Sequence, residues 1–422
     1  MPQEPKDSAP RMKVFGTPGS AEAYAIRDFF HRSSVPLDWY GLSTDAEAVS
    51  LAGVANLRDP RLPVCIFPDG TRLEHPTLRQ ITEKTGCFKT PTQAEYDLII
   101  VGAGPAGLSA AVSAASEGLK TVVIERYAVG GQAGSTSKIE NYLGFPEGIS
   151  GADLALRARE QAKKFGAEIL ILREGVDGDF TPGKGIAYLA DGTKLVMHAT
   201  ISATGVSYRK LGLPNEDRFS GAGLFYGAGA SEAQLCKNQH VFVVGGGNSA
   251  GQAAMYFSQT ARRVTIAVRG DGLKETLSQY LVDRIEASPK IEVLTQTEVT
   301  ALHGDEVLRG ITAIHKPTGR TQDYDTCWLF LCLGGAPHTE WAAEHGIARD
   351  EQGYLVTGPD LKRYLNHKVN WPLDREPYYL ETNMPGVFAA GDVRHGSVKR
   401  CASAVGEGAM AVTFVNRYLA HL

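Results

Sequence analysis

The sequence predicts an α/β fold with two Rossmann-like units, the first split by insertion of the second, and a smaller α/β module ahead of both. Three observations predict it. Two glycine-rich loops each follow an apolar strand and open a helix of small residues, and a late strand running into Gly391-Asp392 completes the first unit. Over 422 residues this gives a disordered tail at 1–11, a module at 12–88, the first unit at 95–210, the second at 211–336 and the rest of the first at 337–422.

The opening Met1-Pro-Gln-Glu-Pro is polar and lacks an apolar leader, so a tail on a cytoplasmic protein is expected. Next, "MKVFGTPGSAEAYAIRDFFHRSSVPLDWYGL" reads as strand, turn, helix and strand, and "RLPVCIFPDGTRLEHPTLRQITEKTG" as a hairpin followed by a helix. "CFKTPTQAE", residues 87–95, is the linker.

The first loop lies in "YDLIIVGAGPAGLSAAVSAASEGLKTVVIER", residues 96–126. A strand, Leu98 to Val101, meets Gly102-Ala-Gly104-Pro105-Ala106-Gly107; a helix and a second strand, Thr121–Ile124, then lead to Glu125. Gly102 permits the turn, Gly104 admits a pyrophosphate, and Gly107 lets helix and strand close up. The helix N-terminus faces the phosphates and Glu125 is placed for ribose hydroxyls.

The second loop, in "HVFVVGGGNSAGQAAMYFSQTARRVTIAVRG" at 240–270, sets Gly245, Gly247, Asn248, Ser249 and Ala250 behind the strand Val241–Val244. The following strand, Val264–Val268, ends at Arg269 where the first unit has Glu125. An acid there suits a 2′-hydroxyl and an arginine suits a 2′-phosphate. With Lys274, Arg262 and Arg263 nearby, the second dinucleotide is expected to be NADPH and the first FAD.

Composition excludes other classes. Hydrophobic content of 43%, charge of 21% and a net charge of −4 exclude a disordered chain or a nucleic-acid binder. No apolar run approaches the ~18–20 residues that cross a bilayer, so no membrane association is expected. No two of the six cysteines are spaced C-x-x-C, and the histidines show no ligand spacing, so no metal is expected.

Residues 96–422 resemble the low-molecular-weight thioredoxin reductases, on "GAGPAG", "GGQAGSTSKIENYLGFP", "ISATG", "GGGNSAGQAA" and "GVFAAGD". The resemblance implies that Arg126, Gly131, Gln132, Asn141, Thr204, Gly205, Gly391, Asp392, Lys399, Arg400 and Cys401 lie along FAD. It implies that the helix starting near Arg400 aims its N-terminus at the flavin, and that the chain forms a homodimer. The family carries a Cys-x-x-Cys followed by Asp before the second loop. Here those five positions are Ala228, Gly229, Ala230, Ser231 and Glu232, so the disulfide is gone and only Glu232 remains as a proton donor or a surface acid.

The module at 12–88 resembles a thioredoxin- or glutaredoxin-like fold on Thr17-Pro18-Gly19 and Leu62-Pro63-Val64, with Ser20 and Ala23 where that fold keeps cysteines. A segment at 359–384, with Tyr364, Trp371, Tyr378, Tyr379, Arg363 and Arg375, exceeds the family's short strand-turn. It either walls the flavin pocket, binds a partner, or packs on itself as a surface loop. Three functions stay open: electron transfer from flavin directly to a small molecule or small redox protein; thioredoxin reduction through a displaced thiol such as Cys236 or Cys401; and redox sensing with little turnover.

Overall fold

The computed structural model describes every residue except 1–10, 34, 137, 228–234, 306 and 364–370. Two compact units emerge, Met1–Thr85 with Lys210–Cys332, and Gly86–Arg209 with Leu333–Leu422.

The N-terminal module has strand β1 (Met12–Gly16), helix α1 (Ala21–Arg32), β2 (Leu37–Gly41), α2 (Asp45–Glu47), β3 (Val64–Ile66), β4 (Arg72–Glu74) and α3 (Leu78–Lys84), with sheet order β2-β1-β3-β4. β1 and β2 pair in parallel, which needs the crossover that α1 provides; β3 and β4 pair antiparallel as a hairpin. The Leu62-Pro63 bond is cis. Ser20 caps α1 by accepting the Ala23 N–H at 3.1 Å. Ala23, Ile26, Phe29 and Phe30 are buried, at the spacing of one helix face.

The discontinuous unit holds β5 (Glu95–Val101), α4 (Pro105–Ser116), β6 (Thr121–Glu125), α5 (Gly151–Lys164), β7 (Glu168–Ile171), β8 (Gly175–Asp179), β9 (Gly185–Leu189), β10 (Lys194–Ser202) and β11 (Ser207–Tyr208). The inserted part supplies α6 (Glu216–Phe219), β12 (Leu224–Tyr226), β13 (His240–Val244), α7 (Asn248–Phe257), β14 (Arg263–Ala267), α8 (Gln279–Glu286), β15 (Ile291–Leu294), β16 (Thr297–Gly304), β17 (Leu308–His315), β18 (Arg320–Asp325) and β19 (Leu329–Leu331). The chain then returns through β20 (Gly335–Ala336), α9 (Glu340–Glu344), β21 (Val387–Ala389) and α10 (Cys401–Leu419).

The first sheet runs β7-β6-β5-β10-β9-β8, with β21 added parallel to β10. Leu98 and Ile100 of β5, Val123 of β6 and Ala199 and Ile201 of β10 share one core with α4 and α10, in which Ala106, Ala110 and Ala114 of α4 meet Ala404, Ala411 and Val415 of α10. The second sheet, β12-β19-β13-β14-β15, is all parallel. The antiparallel β16-β17-β18 sheet lies in the same unit.

Residues 12–85 cluster with Lys210–Cys332 in one unit. The chain returns to the other unit at Leu333, where Gly335 and Ala336 pair with Tyr208 and Ser207. Among the described residues no helix is long and apolar enough to cross a membrane, and no group of acidic, cysteine and histidine side chains is arranged for a metal ion.

Candidate functional site

The first cradle forms where β5 gives way to α4. Gly102 has φ +105°, and a Cβ there would sit 2.4 Å from the Ala203 carbonyl oxygen. At Gly107 it would sit 1.8 Å from the Gly102 oxygen, so helix and strand touch backbone to backbone. Pro105 opens α4, and Ala106 is 4% exposed. Across the loop, a Cβ on Gly131 would lie 3.0 Å from the Gly104 Cα, and Gly130 donates to the Ala103 oxygen at 2.7 Å. Two bare backbones thus face each other with no side chain between them.

Glu125 is buried, and its carboxylate accepts the Ala103 and Tyr127 N–H groups, each at 2.8 Å. It therefore shapes the loop, and its carboxylate has lone pairs to spare beyond those two bonds. Arg126 donates to the Ser207 hydroxyl at 3.2 Å, and the Gln132 amide to the Val206 oxygen at 2.6 Å. Thr204 Oγ1 and Ser202 Oγ are buried and hydrogen-bond to nothing among the described residues. A stranded buried hydroxyl costs on the order of 1–3 kcal/mol, and a bound flavin nucleotide would supply a partner; the cradle fits that group.

The C-terminal half closes the same place. A Cβ on Gly391 would lie 2.9 Å from the Ala106 Cβ, and the Gly391 N–H donates to Glu407 of α10 at 2.7 Å. Glu407 also pairs with Arg394 at 2.6 Å, with both side chains about a tenth exposed. Burial pushes the Asp392 carboxyl above the ordinary range, with Lys399 pulling the other way. Burial lowers the pKa of the Lys399 ammonium, which donates to the Asp392 backbone carbonyl and lies 3.8 Å from the Tyr354 ring centroid. Cys401 is the first residue of α10, its thiol pushed up to about 11 by burial and by Asp392. Gly205 follows Thr204 in the cradle at φ +66°. Arg400 and Asn141 are exposed.

The second cradle repeats the plan. Gly245 has φ +141°, and a Cβ there would lie 2.3 Å from the Cys332 oxygen. Gly247 has open space where a side chain would be, as a pyrophosphate approach demands. Asn248 Oδ1 accepts the Ser278 N–H at 2.7 Å, which ties α7 to the start of α8; Ser249 is exposed and Ala250 fully buried. Arg269 is exposed beyond the end of β14 and has no ion-pair partner among the described residues. Lys274 pairs with Glu286 at 3.8 Å, and Arg263 pairs with Glu292. Ala228, Ser231 and Glu232 lie outside the described residues.

Over residues 96–408 the chain matches the family model described as pyridine nucleotide-disulphide oxidoreductase. The chain belongs to that family. This oxidoreductase is 37% identical over 327 residues to a thioredoxin reductase of Streptomyces clavuligerus, covering 77% of this chain and 94% of the relative. To that of Bacillus subtilis it is 34% identical over 331 residues, covering 78% and 96%. A crystal structure of Lactococcus lactis thioredoxin reductase aligns with 78% of this chain and 100% of its own at 29% identity and a TM-score of 0.68. The oxidoreductase is thus an NAD(P)H-dependent flavin enzyme whose cofactors are FAD and NADPH.

Sequence reasoning missed Glu407, which fixes both the Gly391 amide and Arg394. An acid between two glycines on a helix otherwise lined with small apolar residues, "AVGEGAM", was the signal. The 359–384 segment packs on itself where it is described. Arg375 makes two hydrogen bonds to the fully buried Glu381, at 2.7 and 2.9 Å, and stacks between Trp371 and Tyr378. Tyr364 lies outside the described residues.

Proposed function

We propose that this oxidoreductase passes electrons from NADPH through FAD directly to an acceptor, with no redox disulfide of its own. The cysteine inventory carries the reading: six thiols, none spaced C-x-x-C and none paired in a disulfide. A relay needs two sulfurs within bonding reach and a thiolate to attack. Cys236 is fully buried. Burial pushes Cys65 and Cys332 up to about 12 and Cys401 to about 11, far from the thiolate form at neutral pH.

FAD bound there would supply the redox chemistry that links NADPH to the acceptor. The chain binds and orients. The Gly102–Gly107 and Gly130–Gly131 loops would hold the pyrophosphate, Glu125 the ribose, Asp392 the ribityl chain, and the α10 N-terminus would favour negative charge on the flavin. Gly245, Gly247 and Arg269 would hold NADPH, with Arg269 on its 2′-phosphate. Residues 12–88 are a thioredoxin-like module with Ser20 and Ala23 at the redox-cysteine positions: the order β2-β1-β3-β4 with α1 as crossover supports this, and Ser20 caps the helix where a thiol would stand. A homodimer in the cytoplasm completes the reading, and gel filtration of the holoenzyme should give a particle of two chains.

The deciding experiment mixes the holoprotein anaerobically with NADPH, follows loss of flavin absorbance, then adds acceptors singly. Rapid bleaching and reoxidation by a small acceptor, unchanged in Cys236→Ser, is expected. Thioredoxin-dependent turnover abolished by Cys236→Ser would replace this reading with a displaced thiol. NADPH binding with the flavin left oxidised would favour a sensor, the reading to which a module without its redox cysteine pair lends weight.

A further inference from the structure

The end of α1 that would carry thiols in a thioredoxin-like carrier is not presented outward. It is seated on the inserted nucleotide domain of the same unit. A Cβ built on Gly19 would meet Val307 Cγ1 at 2.4 Å and Val307 Cβ at 3.5 Å, and nothing else among the described residues within 4 Å. Gly221, at φ +76°, brings its backbone under the module: a Cβ there would lie 3.0 Å from Tyr24 Cδ1 and 3.3 Å from the Ala21 Cα. Tyr24 meets Phe225 of β12 edge-on, with ring centroids 5.0 Å apart.

That contact is continuous with the domain's own core. Phe225 stacks on Trp328 and Phe330 at 5.8 and 5.1 Å, and Phe330 packs on Phe257 at 4.2 Å. Tyr24 packs directly against this cluster, so burying it removes apolar area from water as a core residue does. Glycine at both close approaches lets backbone meet side chain without a gap. Thr17 through Ala21 are all partly buried as a result. β12 is the edge strand of the nucleotide sheet and leads into residues 228–231, the positions without cysteines.

We propose that residues 12–85 are a built-in docked partner of the nucleotide domain, seated by Gly19, Ala21 and Tyr24 on Val307, Gly221 and Phe225, and that the enzyme's electron acceptor is therefore a small molecule and not a thioredoxin-like protein. The module holds, within the chain, the ground beside β12 that a free protein of its own fold would need in order to dock. The second half of this rests on the direct-transfer reading above; the first half does not.

The test is a lock. In the holoenzyme carrying Gly19→Cys and Val307→Cys, the two Cβ atoms stand at about the 3.5–4.5 Å a disulfide spans. Oxidised glutathione should convert most of the protein to the 19–307 cross-link, read by mass spectrometry of the joined peptides, while each single variant gives none. The locked enzyme should keep NADPH-driven reduction of a small quinone within about twofold of the dithiothreitol-opened form, and wild type should show no turnover with thioredoxin.

Failure of the pair to cross-link overturns the docking. A tenfold or greater loss of quinone reduction on locking, restored by dithiothreitol, shows that the module must leave in the cycle and also overturns it. Thioredoxin turnover by wild type overturns the assignment of a small acceptor. If NADPH does not bleach the wild-type flavin, direct transfer fails by itself and the cross-link still decides the docking.

Discussion

Replacing Arg269 by alanine should convert NADPH preference into indifference. The guanidinium emerges just past β14, exposed and unpaired among the described residues, whereas Lys274 and Arg263 are engaged by Glu286 and Glu292. A hydrogen bond from a charged donor is worth about 1.5–3 kcal/mol. Exposure and salt screening put this one at the lower end, about 1.5–2 kcal/mol, which is a ten- to thirtyfold rise in the NADPH concentration giving half-maximal flavin reduction. NADH has no 2′-phosphate, so its value should stay put. Anaerobic stopped-flow flavin reduction with each nucleotide measures both, and the gap between wild type and variant should shrink at high salt. Equal losses with both nucleotides would show that Arg269 acts on the fold. No change with either would place the phosphate elsewhere and refute the reasoning.

Gly107→Ala should yield protein without flavin, read as the ratio of flavin to protein absorbance, because its Cβ would fall 1.8 Å from the Gly102 oxygen. Arg375→Met should lower stability by about 3–5 kcal/mol in urea unfolding, because it strands the buried Glu381 with only the Tyr378 and Gly386 N–H groups. A raised thiol pKa means that the neutral form persists as pH climbs. With Cys65 and Cys332 near 12, the thiolate fraction at pH 8 is about one in ten thousand. Iodoacetamide labelling of the native protein at pH 8 should therefore miss both. Labelling of Cys401, near 11, should rise about tenfold per pH unit between 8 and 10; fast labelling at pH 7 would contradict the burial assigned to it.

Much of this architecture was readable in the chain because its signals are local. A strand, a Gly102-x-Gly104-x-x-Gly107 turn and an alanine helix lie within one short stretch, and β5, α4 and β6 follow it closely. The same holds for β13, α7 and β14. What escaped depends on contacts between residues far apart in sequence. Glu125 shows in sequence as a ribose ligand, but only the folded loop reveals that the Ala103 and Tyr127 amides claim it. Tyr24 reads as one apolar residue on a helix, and nothing in its neighbourhood announces Phe225, two hundred residues on. The aromatic segment before β21 offered three readings; the described part is tied down by one buried carboxylate, Glu381, whose partner is fixed only by folding.

The small ribbon of β11 and β20 has a consequence for how the molecule comes apart. Ser207 and Tyr208 pair with Ala336 and Gly335, so the chain leaves and re-enters the flavin unit through neighbouring strands. If residues 209–334 unravelled while the ribbon held, it would have to close a loop of that length. The logarithmic cost is about 4 kcal/mol, more than so short a pairing can bear. Melting of the inserted domain should therefore pull open a seam of its host, and FAD held in the host should raise the temperature at which the insert lets go. The two domains should then melt in a single thermal transition.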